Sequence, residues 1–415
     1  MNTRQVRSSR PTTVLVVLGT RPEAIKLAPV ITELRRHRDV TTRVCVTGQH
    51  REMVQPILEL FDVRPDIDLA LMTPDQLLSS LTAAAVMRLD EVVVSIAPDW
   101  VVLQGDTTSA MSAALAAFYR RVPVAHVEAG LRTFDLARPF PEEANRRIAD
   151  ALATVHFAPT ELARRNLLRE GAHSSTIHVT GNTVVDALLT VGSLSEDGLG
   201  CPLAWLPGNR RIVLVTAHRR ESFGDGLRDV CHAVREIVEA IPDVHCVYPV
   251  HLNPNVQEPA RAILAGHERI SLIPPLDYLS LVDLMRRSTL ILTDSGGLQE
   301  EAPTFGKPVL VLRDRTERPE AVEAGCALIV GTDKGIIVSA ALELLRDRSA
   351  YDRMAKIANP FGDGHASKRI VRVLRNWPVS GTGPRSADLA RPAQSLDALR
   401  AGRVATLADQ PAMDD

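Results

Sequence analysis

Aromatic side chains are scarce in this sequence of 415 residues, at 4%, which excludes a nucleic-acid platform of stacked rings. Charge of one sign is not in excess. Forty-eight Lys and Arg against 50 Asp and Glu leave a net charge of −2. No global field therefore draws the chain to nucleic acid or an anionic membrane, and any anion recognition must be local. Cysteine is sparse and scattered: Cys45, Cys201, Cys231, Cys246 and Cys326 are odd in number and lack C-x-x-C spacing. This predicts reduced, buried thiols in a cytoplasmic protein, and no disulfide framework or zinc site. No apolar run approaches the ~20 residues of a membrane span. The basic, polar stretch Met1 to Arg10 lacks the apolar segment of a secretory signal. G-x-G-x-x-G and the P-loop are both missing, so no dinucleotide cofactor is expected. The histidines show no H-x-x-H spacing, and no metal is expected.

What is present is a rhythm. Apolar, β-branched runs such as Val14 to Leu18, Trp100 to Leu103, Ile212 to Thr216 and Leu290 to Leu292 read as buried parallel strands. Each leads through a polar turn into a helical stripe. This predicts an α/β protein of doubly wound parallel sheets. The length favours two domains. The rhythm breaks over 191–210, which is rich in Gly, Pro and polar residues. The expected organisation is a loose tail at 1–12, domains at 13–190 and 211–362, a linker at 191–210 and a C-terminal helix at 363–376 that packs back on the first domain. Residues 377–415 read as a mostly disordered tail. Thr20 and Glu23 form a capping-box signature, and Pro29 is expected to kink or shorten the helix that follows.

The polar clusters fall just after predicted strands, where ligands of doubly wound sheets bind. Arg21, Gln49, His50, Asp106, Glu128, His218, His251, Ser295 and Arg318 are so placed. In Thr293-Asp294-Ser295-Gly296-Gly297, glycines at a helix start suit a phosphate, although Ser295 could equally be an ordinary N-cap. Asp106 reads as an N-cap or as an acid. Glu142 sits in a first helical turn, where the dipole also favours it. Together with Glu128 these carboxylates could supply acid and base, with mutual repulsion raising some pKa values. Arg21, Lys26, His218 and the arginines of 313–318 form the cationic side.

Nine ordered motifs, spanning about 13–375, together resemble the bacterial non-hydrolysing UDP-N-acetylglucosamine 2-epimerases. They are Gly19 to Lys26, Gln49 to Met53, Gly105 to Thr108, His126 to Thr133, Pro141 to Arg146, His218 to Ser222, His251 to Asn255, Asp294 to Pro303 and Thr316 to Glu320. The resemblance implies two Rossmann-like domains facing across a cleft in the GT-B arrangement, and a homodimer. It implies interconversion of UDP-GlcNAc and UDP-ManNAc through loss and return of UDP. Asp106, Glu128 and Glu142 would be the acid/base groups. His218 and Arg21 would hold the diphosphate, with Ser295, Gly296 and Gly297 donating to it. Glu301 would accept from the ribose, and Lys26, Arg146 and Arg318 would complete the pocket. Gln49 and His50, with His251, are candidates for a second, activating UDP-GlcNAc site. Asp75 stands where that site calls for a basic residue, which implies turnover without added UDP-GlcNAc. The alternatives are a hydrolysing epimerase, whose motifs overlap with these, and a GT-B glycosyltransferase using a UDP-sugar.

Overall fold

In the computed structural model the chain is described over residues 10–48, 51–73, 75–196 and 203–377. The first half folds as β1 (Thr12–Leu18), α1 (Arg21–Arg35), β2 (Val40–Val46), α2 (Arg51–Leu60), β3 (Ile67–Asp68), α3 (Leu78–Ile96), β4 (Trp100–Gln104), α4 (Thr108–Tyr119), β5 (Val124–Val127), α5 (Glu142–Leu152), β6 (Val155–Ala158), α6 (Glu161–Arg169), β7 (Ile177–Val179) and α7 (Thr183–Glu196). The second half continues with β8 (Arg211–Thr216), α8 (Asp225–Ala240), β9 (Val244–Pro249), α9 (Pro254–Leu264), β10 (Ile270–Ile273), α10 (Tyr278–Arg287), β11 (Ser288–Thr293), α11 (Gly296–Glu301), β12 (Val309–Val311), α12 (Pro319–Ala324), β13 (Ala327–Ile329), α13 (Lys334–Arg346), α14 (Arg348–Ala355) and α15 (Ala366–Asn376).

The strands form two parallel sheets, ordered β3-β2-β1-β4-β5-β6-β7 and β10-β9-β8-β11-β12-β13. β4 is buried throughout and β1 from Val14 onward, as runs without polar alternation require. Strand order reverses between β1 and β4 and again between β8 and β11. At such switch points the loops leaving the carboxyl ends diverge and open a crevice.

α7 ties the halves together. It packs on α1 and α15 and also on α10 and α11. Just before it, Gly181 has φ +84°, and a Cβ there would lie 3.1 Å from the Gly362 Cα. Glycine at both positions lets the two backbones touch. The Asn182 amide donates to the Phe361 carbonyl at 2.6 Å. Asp186 on α7 then caps α15, accepting from Ala366 N at 3.1 Å, Ser367 N at 2.9 Å and Ser367 Oγ at 2.5 Å. Asp186→Ala strands these buried donors and should cost about 1–3 kcal/mol. Denaturant unfolding checks it, and an unchanged midpoint would count against the cap.

α1 is not shortened at Pro29, which is buried among the apolar side chains of its inner face. Core packing offsets the one hydrogen bond that proline removes. The linker was expected from residue 191, but α7 continues to Glu196, anchored by buried Val184, Val185, Leu188 and Val191. Residues 197–202 of that linker, residues 1–9 and the tail 378–415 lie outside the described residues. Cys45, Cys231, Cys246 and Cys326 are buried free thiols. No described helix is long and apolar enough to cross a membrane.

Candidate active site

The first rim is set by Glu23. Its buried carboxylate accepts from Gly19 N at 2.8 Å, Thr20 N at 2.6 Å and Thr107 Oγ1 at 2.6 Å. Burial raises its pKa, and these donors only partly offset that. The bonds staple the start of α1 to the start of α4, so Arg21, Lys26 and Asp106 share one edge. Thr107, and not Asp106, caps α4: its Oγ1 accepts from Ala110 N at 3.0 Å. Asp106 is left to pair with Arg146 of α5, while Asn145 Nδ2 donates to the Asp106 carbonyl at 3.0 Å.

Glu128 follows β5 with φ +64°, a left-handed conformation that costs a non-glycine residue about 1–3 kcal/mol. Its carboxylate is held from three sides. Lys26 Nζ lies 2.5 Å from Oε1, Asn182 Nδ2 donates to the same oxygen at 2.8 Å, and Gln104 Nε2 donates to Oε2. Mutual repulsion among the carboxylates was expected to raise pKa values. Glu128 departs from that expectation. Burial pushes it up, but Lys26, then Arg318 and Asn182, bring it below the ordinary carboxylate value. Glu128 and Asp106 each have a cation, Lys26 and Arg146, which sequence order conceals: Lys26 lies 102 residues from Glu128. Glu142 differs again, since its Oε2 is buried with no hydrogen-bond partner among the described groups.

The facing rim comes from the second switch point. Buried Asp294 accepts from His218 N at 2.5 Å and Arg219 N at 2.7 Å, and its Oδ1 lies 3.2 Å from His218 Nδ1. Burial works against its ionisation, but His218 and the two backbone donors hold its pKa below the ordinary value. His218 stacks on His251 with ring centroids 5.5 Å apart and planes 11° from parallel. Ser295 occupies the N-cap position of α11, yet its side chain makes no capping bond. A Cβ on Gly296 would lie 4.0 Å from the Arg318 guanidinium carbon, so this turn and Arg318 face each other. Arg318 Nε donates to buried Glu300. Glu301 is lifted to about 7 by burial and by the Glu300 charge, against Lys26 and Arg21.

Between the rims lies a cleft of about 860 Å³. Arg21, Lys26, Asp106, Glu128, Glu142, Arg146 and Arg318 all line it. His218, His251, Ser295, Gly296, Gly297 and Glu301 are not on its wall. Gln49 and His50 lie outside the described residues. Sequence reasoning missed Gln104, Asn182 and Glu300, which hold Glu128 and Arg318 in place. One signal was available: Thr180-Gly181-Asn182-Thr183 is a polar turn after a strand, like the others.

The family model for UDP-N-acetylglucosamine 2-epimerase matches residues 32–375. A probable UDP-N-acetylglucosamine 2-epimerase of Ralstonia nicotianae is 54% identical over 370 residues, 88% of this chain and 99% of the relative. The UDP-N-acetylglucosamine 2-epimerase of Escherichia coli is 51% identical over 373 residues, with the same two coverages. The crystal structure of UDP-GlcNAc 2-epimerase from Neisseria meningitidis bound to UDP-GlcNAc superposes with a TM-score of 0.80 at 46% identity, covering 88% of this chain and all of the other.

Proposed function

The chain belongs to the UDP-N-acetylglucosamine 2-epimerase family, and on that premise we propose how its cleft inverts C2 of UDP-GlcNAc. The hydrogen at C2 is not acidic, so direct deprotonation and return is implausible. Loss of UDP solves this. The C2–H bond breaks with its proton passing to a carboxylate, the C1–O bond breaks with its electron pair leaving on UDP, and a C1–C2 double bond forms. UDP then adds back to C1, and a proton from the opposite face completes UDP-ManNAc. Nothing is oxidised or reduced, and atoms balance.

One observation carries this reading: three carboxylates and three cations, Asp106, Glu128, Glu142, Arg21, Lys26 and Arg318, line a single cleft. The roles divide by environment. Glu128, tied by three donors, stays an anion and faces the positive charge that develops at C1 as UDP departs. Asp106 and Glu142 handle the C2 proton, Glu142 through its uncommitted oxygen. Arg21 and Arg318 stabilise the leaving diphosphate from the cleft wall, and His218 and the Ser295-Gly296-Gly297 turn, which lie off that wall, join them as the two halves close. Lys26 and Arg146 orient the carboxylates, and Glu301 accepts from the ribose. Closure of the two halves retains the glycal until UDP returns. A homodimer in the cytoplasm belongs to the same reading. The buried free thiols suit a reducing compartment, and exposed Met87, Phe118 and Tyr119 offer apolar surface on neighbouring α3 and α4.

A proton NMR time course separates this reaction from hydrolysis. UDP-ManNAc should approach a constant ratio with UDP-GlcNAc, whereas accumulation of free ManNAc would overturn the non-hydrolysing reading. Glu301 adds a pH signature. Ribose hydroxyls donate best to its ionised form, so UDP should bind more tightly as pH rises through about 7. In the free protein the sign is opposite. A raised carboxyl stabilises the fold below its ordinary 4.5, and that contribution is lost as pH rises through about 7. Calorimetric UDP titrations of wild type against Glu301→Gln remove the phosphate's own titration. Parallel pH dependences in the two proteins would refute the ribose role.

A further inference from the structure

We propose that Asn182, at the entry to α7, is a positioning residue that fixes the Glu128 carboxylate and ties it to the Glu300–Arg318 pair of the second half. The inference rests on the role given above to Glu128. Asn182 is 3% exposed. Its Nδ2 has two protons, and both are spoken for: one goes to Glu128 Oε1 at 2.8 Å, the other to Glu300 Oε2 at 3.1 Å. Its Oδ1 accepts from Val184 N at 3.1 Å, which fixes the orientation of the amide. Its backbone N is held by Phe361 at 2.6 Å, at the point where the two halves of the chain touch.

The chemistry favours an amide at this point. Glu128 and Glu300 are like charges in a dry setting, and a neutral double donor binds both without adding a third charge. Around Glu128 stand Lys26 from α1, Gln104 from β4, Asn182 from the start of α7, and Arg318 with Glu300 from the second half. Two cations balance two carboxylates. Asp at 182 would keep the shape but withdraw a donor and add an anion, favouring protonation of Glu128. Ala would remove the tether and leave the charges in place.

The test compares Asn182→Ala and Asn182→Asp with wild type and with Glu128→Gln. Full-length protein is used, and kcat, KM, the pH profile of kcat and UDP affinity are read. Asn182→Ala should lower kcat about tenfold to a hundredfold, with KM and UDP affinity within about threefold. Asn182→Asp should move the acid limb of the pH profile up by about one unit, a change that mere loss of packing would not produce. Should Asn182→Ala not fold, the isosteric Asp variant carries the test. If Glu128→Gln is inactive while both Asn182 variants keep the wild-type kcat and pH profile, the inference fails alone. If Glu128→Gln is as active as wild type, the reading of Glu128 itself fails.

Discussion

Glu128→Gln is expected to lower kcat by about two to four orders of magnitude while the protein still binds UDP. The substitution keeps the size of the side chain and its contact with Asn182, but removes the anion. Lys26, buried beside it, retains Glu300 as an electrostatic partner, and its pKa is held up by Glu128 first and Glu300 second against the cost of burial. The protein should therefore fold. The loss should fall on kcat and kcat/KM together, because stabilisation of a developing charge is absent in the ground state. Stability carries a second signature. Glu128 sits below its ordinary 4.5, so it stabilises the fold above that pH and ceases to do so as pH falls through its lowered value. Glu128→Gln should lack that part of the acid dependence. A rate within tenfold of wild type would remove Glu128 from the chemistry.

Arg318→Ala should have the largest effect on the fold itself. The guanidinium is mostly buried and its partner Glu300 almost completely so, with side-chain exposures of 17% and 3%. Deleting one member of a buried pair leaves the other uncompensated, which typically costs about 3–5 kcal/mol. Two carboxylates, Glu128 and Glu300, would then share Lys26 and the Asn182 amide. UDP affinity should fall as well, since the Ser295-Gly296-Gly297 turn faces this side chain. Arg318→Lys keeps a charge but not the planar fork, so it should recover stability better than affinity. Denaturant unfolding with UDP titration reads both effects. A loss below about 1 kcal/mol would mean that Glu300 finds another partner.

The strands and the crevice were legible because burial on both faces writes itself as an uninterrupted apolar run, as in Val14 to Leu18. The loops that follow carry the chemistry, so Arg21, Asp106, Glu128 and Arg318 could be singled out by position. Pairing was not legible. Nothing local links Lys26 to Glu128 or Glu300 to Arg318, and Glu128 escapes the expected repulsion because its cations arrive from distant segments. Asn182 was hidden by a different cause. The short strand before it, β7, is readable, but a neutral amide in the turn after it carries no charge to single it out. Gly192, Ser193 and Ser195 placed the linker inside α7, because their composition reads as loop. At Pro29 the helix is not shortened, because the enclosing core outweighs the one backbone bond that proline removes.

Deuterium uptake at C2 tests the central claim most directly. UDP-GlcNAc would be incubated with the protein in heavy water, without added cofactor, and followed by NMR and mass spectrometry. Loss and return of UDP through the glycal requires one solvent deuterium at C2 of every UDP-ManNAc formed, with UDP-GlcNAc gaining deuterium as the reaction reverses. UDP-ManNAc that retains its original hydrogen at C2 would contradict it.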